Sequence, residues 1–134
     1  MIFWSYRSSE LCSKTLILLS RQYRIVMSNP PDEARGTPEF VAFFRSLRKR
    51  SYLYKATKGA IDVLRENMLA GEKVEKRKWP EVYVREYGIR NLFLMDLGRR
   101  YRLTYNVLSE GPKRIVCIIE VMDHSTYERR FGYT

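Results

Sequence analysis

The sequence predicts an α+β fold in which a helical hairpin packs on one face of a small, antiparallel-rich sheet of three to four strands. Three observations predict it. Apolar residues recur at helical spacing between residues 37 and 70, the period becomes strand-like between 92 and 122, and turn residues punctuate the junctions at Ala70-Gly71, Gly88, Gly98 and Gly111-Pro112.

The elements follow in order. Residues 1–27 read as an N-terminal extension ahead of the polar, turn-rich Ser28-Asn29-Pro30-Pro31-Asp32-Glu33, with Tyr23-Arg24-Ile25-Val26-Met27 as an alternative first strand; residues 28–134 read as one domain. Thr37 is a suitable N-cap, Pro38 fits the first helical position, and Glu39 complements the helix dipole. Phe40, Phe43, Phe44 and Leu47 then mark one helical face, and a second helix starts around Arg50-Ser51 with Leu53, Ala56, Ala60, Val63 and Leu64 inward. The charged run from Glu72 to Lys78 reads as a surface connector, and Trp79-Pro80 opens a short helix closed by Gly88. Leu92 to Leu97 and Tyr101 to Leu108 read as a hairpin turning at Gly98-Arg99-Arg100. The nearly continuous apolar strand from Arg114 to Met122 reads as central, and Ser125 as the cap of a terminal helical turn through Arg130.

Composition narrows the function. A chain of 134 residues that is 45% hydrophobic and 30% charged can build its own core. Its formal net charge of +10 favours polyanionic partners: nucleic acid, anionic membrane or an acidic protein. No apolar run approaches the roughly 20 residues of a membrane span, so an integral membrane protein is excluded, and the partners expected are nucleic acid and an acidic protein, with no membrane among them. Cys12 and Cys117 do not staple a scaffold, and the compartment is expected to be reducing and cytoplasmic. Between Val41 and Ala60 stand Arg45, Arg48, Lys49, Arg50, Lys55 and Lys58 without a single acid, a run that reads equally as a solvated helical face or as a functional basic surface.

No glycine-rich phosphate loop, CxxC pair, HExxH or GxSxG occurs, and with one histidine in the chain neither metal nor cofactor is expected. What remains is an arginine- and tyrosine-rich sheet with a histidine at its end. In Tyr101-Arg102-Leu103-Thr104-Tyr105, Arg102 and Thr104 share one face and Leu103 and Tyr105 the other. If helices cover only one face, arginines on the other form an open surface suited to a phosphodiester. His124 is the natural proton shuttle, and tyrosines such as Tyr127 and Tyr133 supply stacking platforms for splayed bases of single-stranded RNA. The competing readings are a salt bridge from Arg102 to Asp96 or Glu120, and a hydrogen-bonded strand terminus for His124.

The helical hairpin, followed by Tyr83-Val84-Arg85-Glu86-Tyr87-Gly88-Ile89-Arg90-Asn91-Leu92-Phe93, the Tyr-Arg-Leu-Thr-Tyr strand at 101–105, Ile119-Glu120-Val121-Met122-Asp123-His124 and Tyr127-Glu128-Arg129-Arg130-Phe131-Gly132-Tyr133, resembles the RelE/ParE superfamily of toxins from type II toxin–antitoxin systems. The resemblance covers residues 37–134. It implies a RelE-like fold and a ribosome-dependent, metal-free mRNA endoribonuclease in which the ribose 2′-hydroxyl attacks the adjacent phosphate to leave a 2′,3′-cyclic phosphate. It also implies an acidic antitoxin that silences the toxin, with mRNA and ribosomal RNA as further partners. Carried onto this chain, Arg102 stabilises charge on the phosphate, His124 is the general acid toward the 5′-oxygen, and Tyr127 stacks on or orients a base. Arg99, Arg100, Lys113, Arg129 and Arg130 hold RNA backbone phosphates. RelE-type members carry lysines on the strand before this segment; here Asp96 is the only titratable group of Leu92 to Leu97, which makes it the candidate general base. The gyrase-inhibiting branch lacks nuclease residues altogether, so a non-catalytic reading stands beside the enzyme: a ParE-like gyrase inhibitor or an inactive antitoxin-binding homologue.

Overall fold

Thr37 shows how the chain begins its first helix. Its hydroxyl accepts from the Phe40 amide at 3.1 Å and donates to the Ile119 carbonyl at 2.7 Å, so one side chain both caps the helix and fastens it to the sheet. The computed structural model describes the backbone of residues 5–7 together with residues 29–132; the alternative strand at 23–27 lies outside the described residues. The capped helix, α1, runs over Pro38–Ser46 and α2 over Tyr52–Glu66, where Ser51 accepts from the Tyr54 amide at 3.1 Å. Two further helices follow, α3 over Glu81–Tyr87 and α4 over His124–Phe131. Gly88 ends α3 and Gly132 ends α4 in the left-handed conformation usual for helix stops.

The strands are β1 (Ser5–Arg7), β2 (Glu33–Gly36), β3 (Glu72–Lys73), β4 (Phe93–Gly98), β5 (Tyr101–Glu110) and β6 (Lys113–Asp123). They form one mixed sheet in the order β1-β2-β6-β5-β4-β3. The expectation of three to four strands is corrected at three strands, the first being β1, whose Ser5 to Arg7 pair antiparallel with Arg35 to Glu33 of β2. Glu33-Ala34-Arg35-Gly36 pairs in parallel with β6, from Glu33 opposite Ile115 to Gly36 opposite Ile118. Within the supposed connector, Glu72 and Lys73 pair with Leu94 and Phe93. Neither segment has an apolar period: β3 is an exposed two-residue edge strand, and β2, between β1 and β6, buries Ala34 next to the charged Glu33 and Arg35. The expected central strand is confirmed: β6 lies between β2 and β5, and Ile115 to Ile119 are all buried. Burial pushes the Cys117 thiol up to about 11, as suits a quiet core cysteine.

Both faces of the sheet are covered. On one, Phe40, Ile61 and Leu64 from the hairpin pack against Leu97, Leu103, Tyr105 and Ile118. Each fully buried Leu or Phe among them contributes roughly 2 kcal/mol. The Tyr105 hydroxyl donates to the Met68 carbonyl and accepts from the Gly71 amide, both at 2.9 Å, which ties the end of α2 to the sheet. On the other face, Tyr83, Ile89, Leu92, Ile119 and Phe131 form a second core under α3 and α4. The open, arginine-bearing face expected of the sheet is therefore corrected: its middle is roofed, and Thr104, which shares the face of Arg102, is fully buried. The end of that face around Arg102 and the exposed Asp96 borders solvent.

Candidate functional site

The β5–β6 ladder places Arg102 opposite Met122 and Tyr101 opposite Asp123, so Arg102 stands beside the point where β6 gives way to α4. Asp123, rather than Ser125, caps that helix. Its carboxylate accepts from the Thr126 amide at 2.8 Å, and this bond holds its pKa below the ordinary carboxylate value. Helical spacing then puts His124, Tyr127 and Glu128 on the turn facing Arg102.

Three predicted residues meet there. Arg102 Nη1 lies 3.3 Å from His124 Nδ1, and its guanidinium carbon sits 4.5 Å from the centre of the Tyr127 ring. The His124 and Tyr127 rings are 6.3 Å apart at 26°, and Tyr127 rests on Phe131 at 4.7 Å, which anchors it to the second core. The His124 side chain is 30% exposed, open enough to exchange protons with a ligand or with solvent. Neither competing reading for Arg102 holds as an ion pair. Glu120 is taken by Arg130 at 2.9 Å, and Asp96, opposite Arg102 on β4, accepts from the Gly98 amide at 2.8 Å.

The other predicted phosphate ligands divide. Arg99 and Arg100 form the β4–β5 turn next to the site and are exposed, with Arg99 lying 4.0 Å above the Tyr52 ring. Arg129 is exposed on α4 and donates to the Thr126 hydroxyl at 3.2 Å. Arg130 binds Glu120 with two donors, so its guanidinium is committed to the fold. Lys113 is not brought to the site. It begins β6, roughly 35 Å from His124 at strand rise, and pairs with Glu33 at 2.5 Å.

Sequence reasoning missed two features. Glu128 Oε1 lies 3.3 Å from His124 Nε2, a contact that the four-residue spacing on α4 foreshadows. A groove of about 300 Å³ beside Tyr127 and Phe131 is lined by Lys73 and Lys78 along with Glu72 and Glu75. This brings lysines next to Tyr127 from the β3 margin rather than from β4. Among the described residues, no group of three or more His, Cys, Asp or Glu side chains is placed to hold a metal ion, and no helix is long and apolar enough to cross a membrane.

Fold and site together define a small α+β protein with an arginine–histidine–tyrosine cluster at the end of a mixed sheet. No family model matches the chain, and comparison with curated proteins and with solved structures returned no match.

Proposed function

We propose that the protein is a RelE-like toxin of a type II toxin–antitoxin system, a metal-independent and ribosome-dependent mRNA endoribonuclease. The observation that carries the reading is the convergence of Arg102, His124 and Tyr127, drawn from β5 and α4, within reach of a single phosphate. In this reading the 2′-hydroxyl attacks the adjacent phosphorus, Asp96 accepts its proton, Arg102 stabilises the charge that grows on the phosphate oxygens, and His124 protonates the departing 5′-oxygen. Tyr127, held by Phe131, presents a face for base stacking. Arg99, Arg100 and Arg129 supply backbone charge around the site, and mRNA, ribosomal RNA and an acidic antitoxin are the partners. Expression of the chain without an antitoxin tests it: growth arrest with cut transcripts in translating cells is the expected result, and intact mRNA would sink the enzyme.

The commitment of Arg130 and Lys113 to acids favours a second reading, a non-catalytic member that inhibits DNA gyrase or only pairs with its antitoxin. There the exposed cations Arg45, Arg48, Lys49, Arg50 and Lys55 on the hairpin serve for docking. Supercoiling defects with intact transcripts would select it.

A further inference from the structure

His124 has a charged partner at each ring nitrogen. Nδ1 lies 3.3 Å from Arg102 Nη1, and Nε2 lies 3.3 Å from Glu128 Oε1. A guanidinium has five donors and no acceptor, so the contact at Nδ1 is a hydrogen bond only when that nitrogen carries its lone pair. An imidazolium would set N–H against N–H there. The ring in this arrangement is the neutral tautomer whose one proton sits on Nε2, aimed at the carboxylate one helical turn further on. The neighbouring charged groups have other work. On β6, Asp123 caps α4 and Glu120 binds Arg130; on β4, Asp96 accepts from Gly98; on α4, Arg129 donates to Thr126.

This resting state does not suit a general acid, because its only proton points away from Arg102. We propose that Glu128 is the positioning residue of this site and that a phosphate arriving at Arg102 drives the uptake of one proton by His124. The inference rests on reading Arg102 and His124 as one phosphate-directed site. A phosphate oxygen that recruits the guanidinium removes the donor from Nδ1 and puts an acceptor in its place. Nδ1 then takes a proton from solvent, the only bond formed at the ring, and the imidazolium stands between two anions, phosphate at Nδ1 and Glu128 at Nε2. The acid is thereby armed only when a phosphate is in place, with its transferable proton on the nitrogen that faces it. Glu128 acts twice: it accepts the resting Nε2 proton that the Arg102 donor selects, and it stabilises the cation that forms.

The chain has a single histidine, so ¹⁵N-histidine labelling of the full-length protein yields one imidazole. Two-bond ¹H–¹⁵N spectra at pH 7 read its tautomer and its protonated fraction, with and without inorganic phosphate. In the wild type the proton is expected on Nε2, and phosphate is expected to move both nitrogens toward the imidazolium position. Arg102→Lys, with Arg102→Ala as a second variant, should abolish that response. In Glu128→Ala the Arg102 donor still keeps the proton off Nδ1, so the resting tautomer should hold while the response to phosphate weakens several-fold. Glu128→Gln, which keeps an acceptor in place, should hold the tautomer but lose most of the response. A wild-type ring protonated on Nδ1, the absence of any phosphate response, or the same response in Glu128→Ala would each overturn the proposal. These readouts do not depend on cleavage, so a protein that cuts no transcript would defeat the nuclease reading while leaving this result standing.

Discussion

Arg130 holds both carboxylate oxygens of Glu120, with Nε at 2.9 Å and Nη2 at 3.1 Å, and so clamps α4 to β6 ten residues back along the chain. The same carboxylate accepts from the buried Tyr83 hydroxyl, which is also 2.9 Å from the Thr104 hydroxyl. Burial next to Glu120 pushes the Tyr83 phenol well above its usual range, so it remains a neutral donor. The two partners should therefore differ when removed. Arg130→Ala deletes a half-exposed donor and should lower stability by about 1 kcal/mol. Glu120→Ala also strips an acceptor from a buried hydroxyl and should lower it by about 2 kcal/mol. Urea unfolding of both variants checks this; equal losses would mean that the Tyr83 bond contributes nothing.

Arg102 is the residue whose loss should separate chemistry from folding. Its guanidinium lies at the sheet margin against His124 and Tyr127, not in a core ion pair, so Arg102→Ala should fold normally. Removal of one preorganised donor to a developing anion typically forfeits about 3 kcal/mol, or roughly a hundredfold in rate. Single-turnover cleavage of mRNA on programmed ribosomes measures it. Undiminished cleavage would remove Arg102 from the mechanism.

Much of the architecture could be read from residue patterns because the decisive signals are local. Thr37-Pro38-Glu39 announces a capped helix, and the unbroken apolar run at 115–119 announces a doubly buried strand. β2 could not be read, since Glu33 and Arg35 are held inside the sheet by Lys113 and Glu110 as well as by each other, and those partners lie 75 to 80 residues away in sequence. The site divides in the same way. Arg102, His124 and Tyr127 were nameable from the resemblance, but Lys113 belongs to the far end of β6, a matter of register that no residue pattern displays. Glu128 was legible by helical spacing once α4 was recognised to begin at His124.

The β4–β5 turn should be more stable with residues other than its own. Arg99 and Arg100 have φ of 49° and 65°, left-handed values at both central positions of a two-residue hairpin, where Asn-Gly is preferred. Gly98 before them has φ of 80°, and a Cβ there would come within 2.4 Å of the Tyr52 hydroxyl. Retaining two arginines at positions that strain them is understandable if their charge serves binding beside Arg102. Arg99→Asn with Arg100→Gly should raise stability by about 1 kcal/mol and at the same time weaken binding to ribosomes. Thermal unfolding and ribosome co-sedimentation read the two effects, and a variant that gains stability without losing binding would show that the turn cations are idle.

The acid limit of folding should be set largely by β2. Glu33 is buried, and the Lys113 ammonium at 2.5 Å, with Arg35 at 2.9 Å, holds its carboxyl below the ordinary value of 4.5. Arg35 in turn donates to Glu110, whose pKa is lowered by the same contact. A carboxylate with a folded-state pKa below its unfolded one binds fewer protons in the folded protein. Its stabilising contribution is complete above the unfolded value and is lost as pH falls through the folded one. Wild-type stability should hold between pH 7 and 5 and then fall steeply below about 4.5. Glu33→Gln should be less stable at pH 7, because Lys113 and Arg35 lose their buried counter-ion, yet its stability should decline less on acidification, so that the two curves converge. Urea midpoints measured from pH 7 to pH 3 check the slope, and parallel curves for the two proteins would assign the acid limit to other carboxylates.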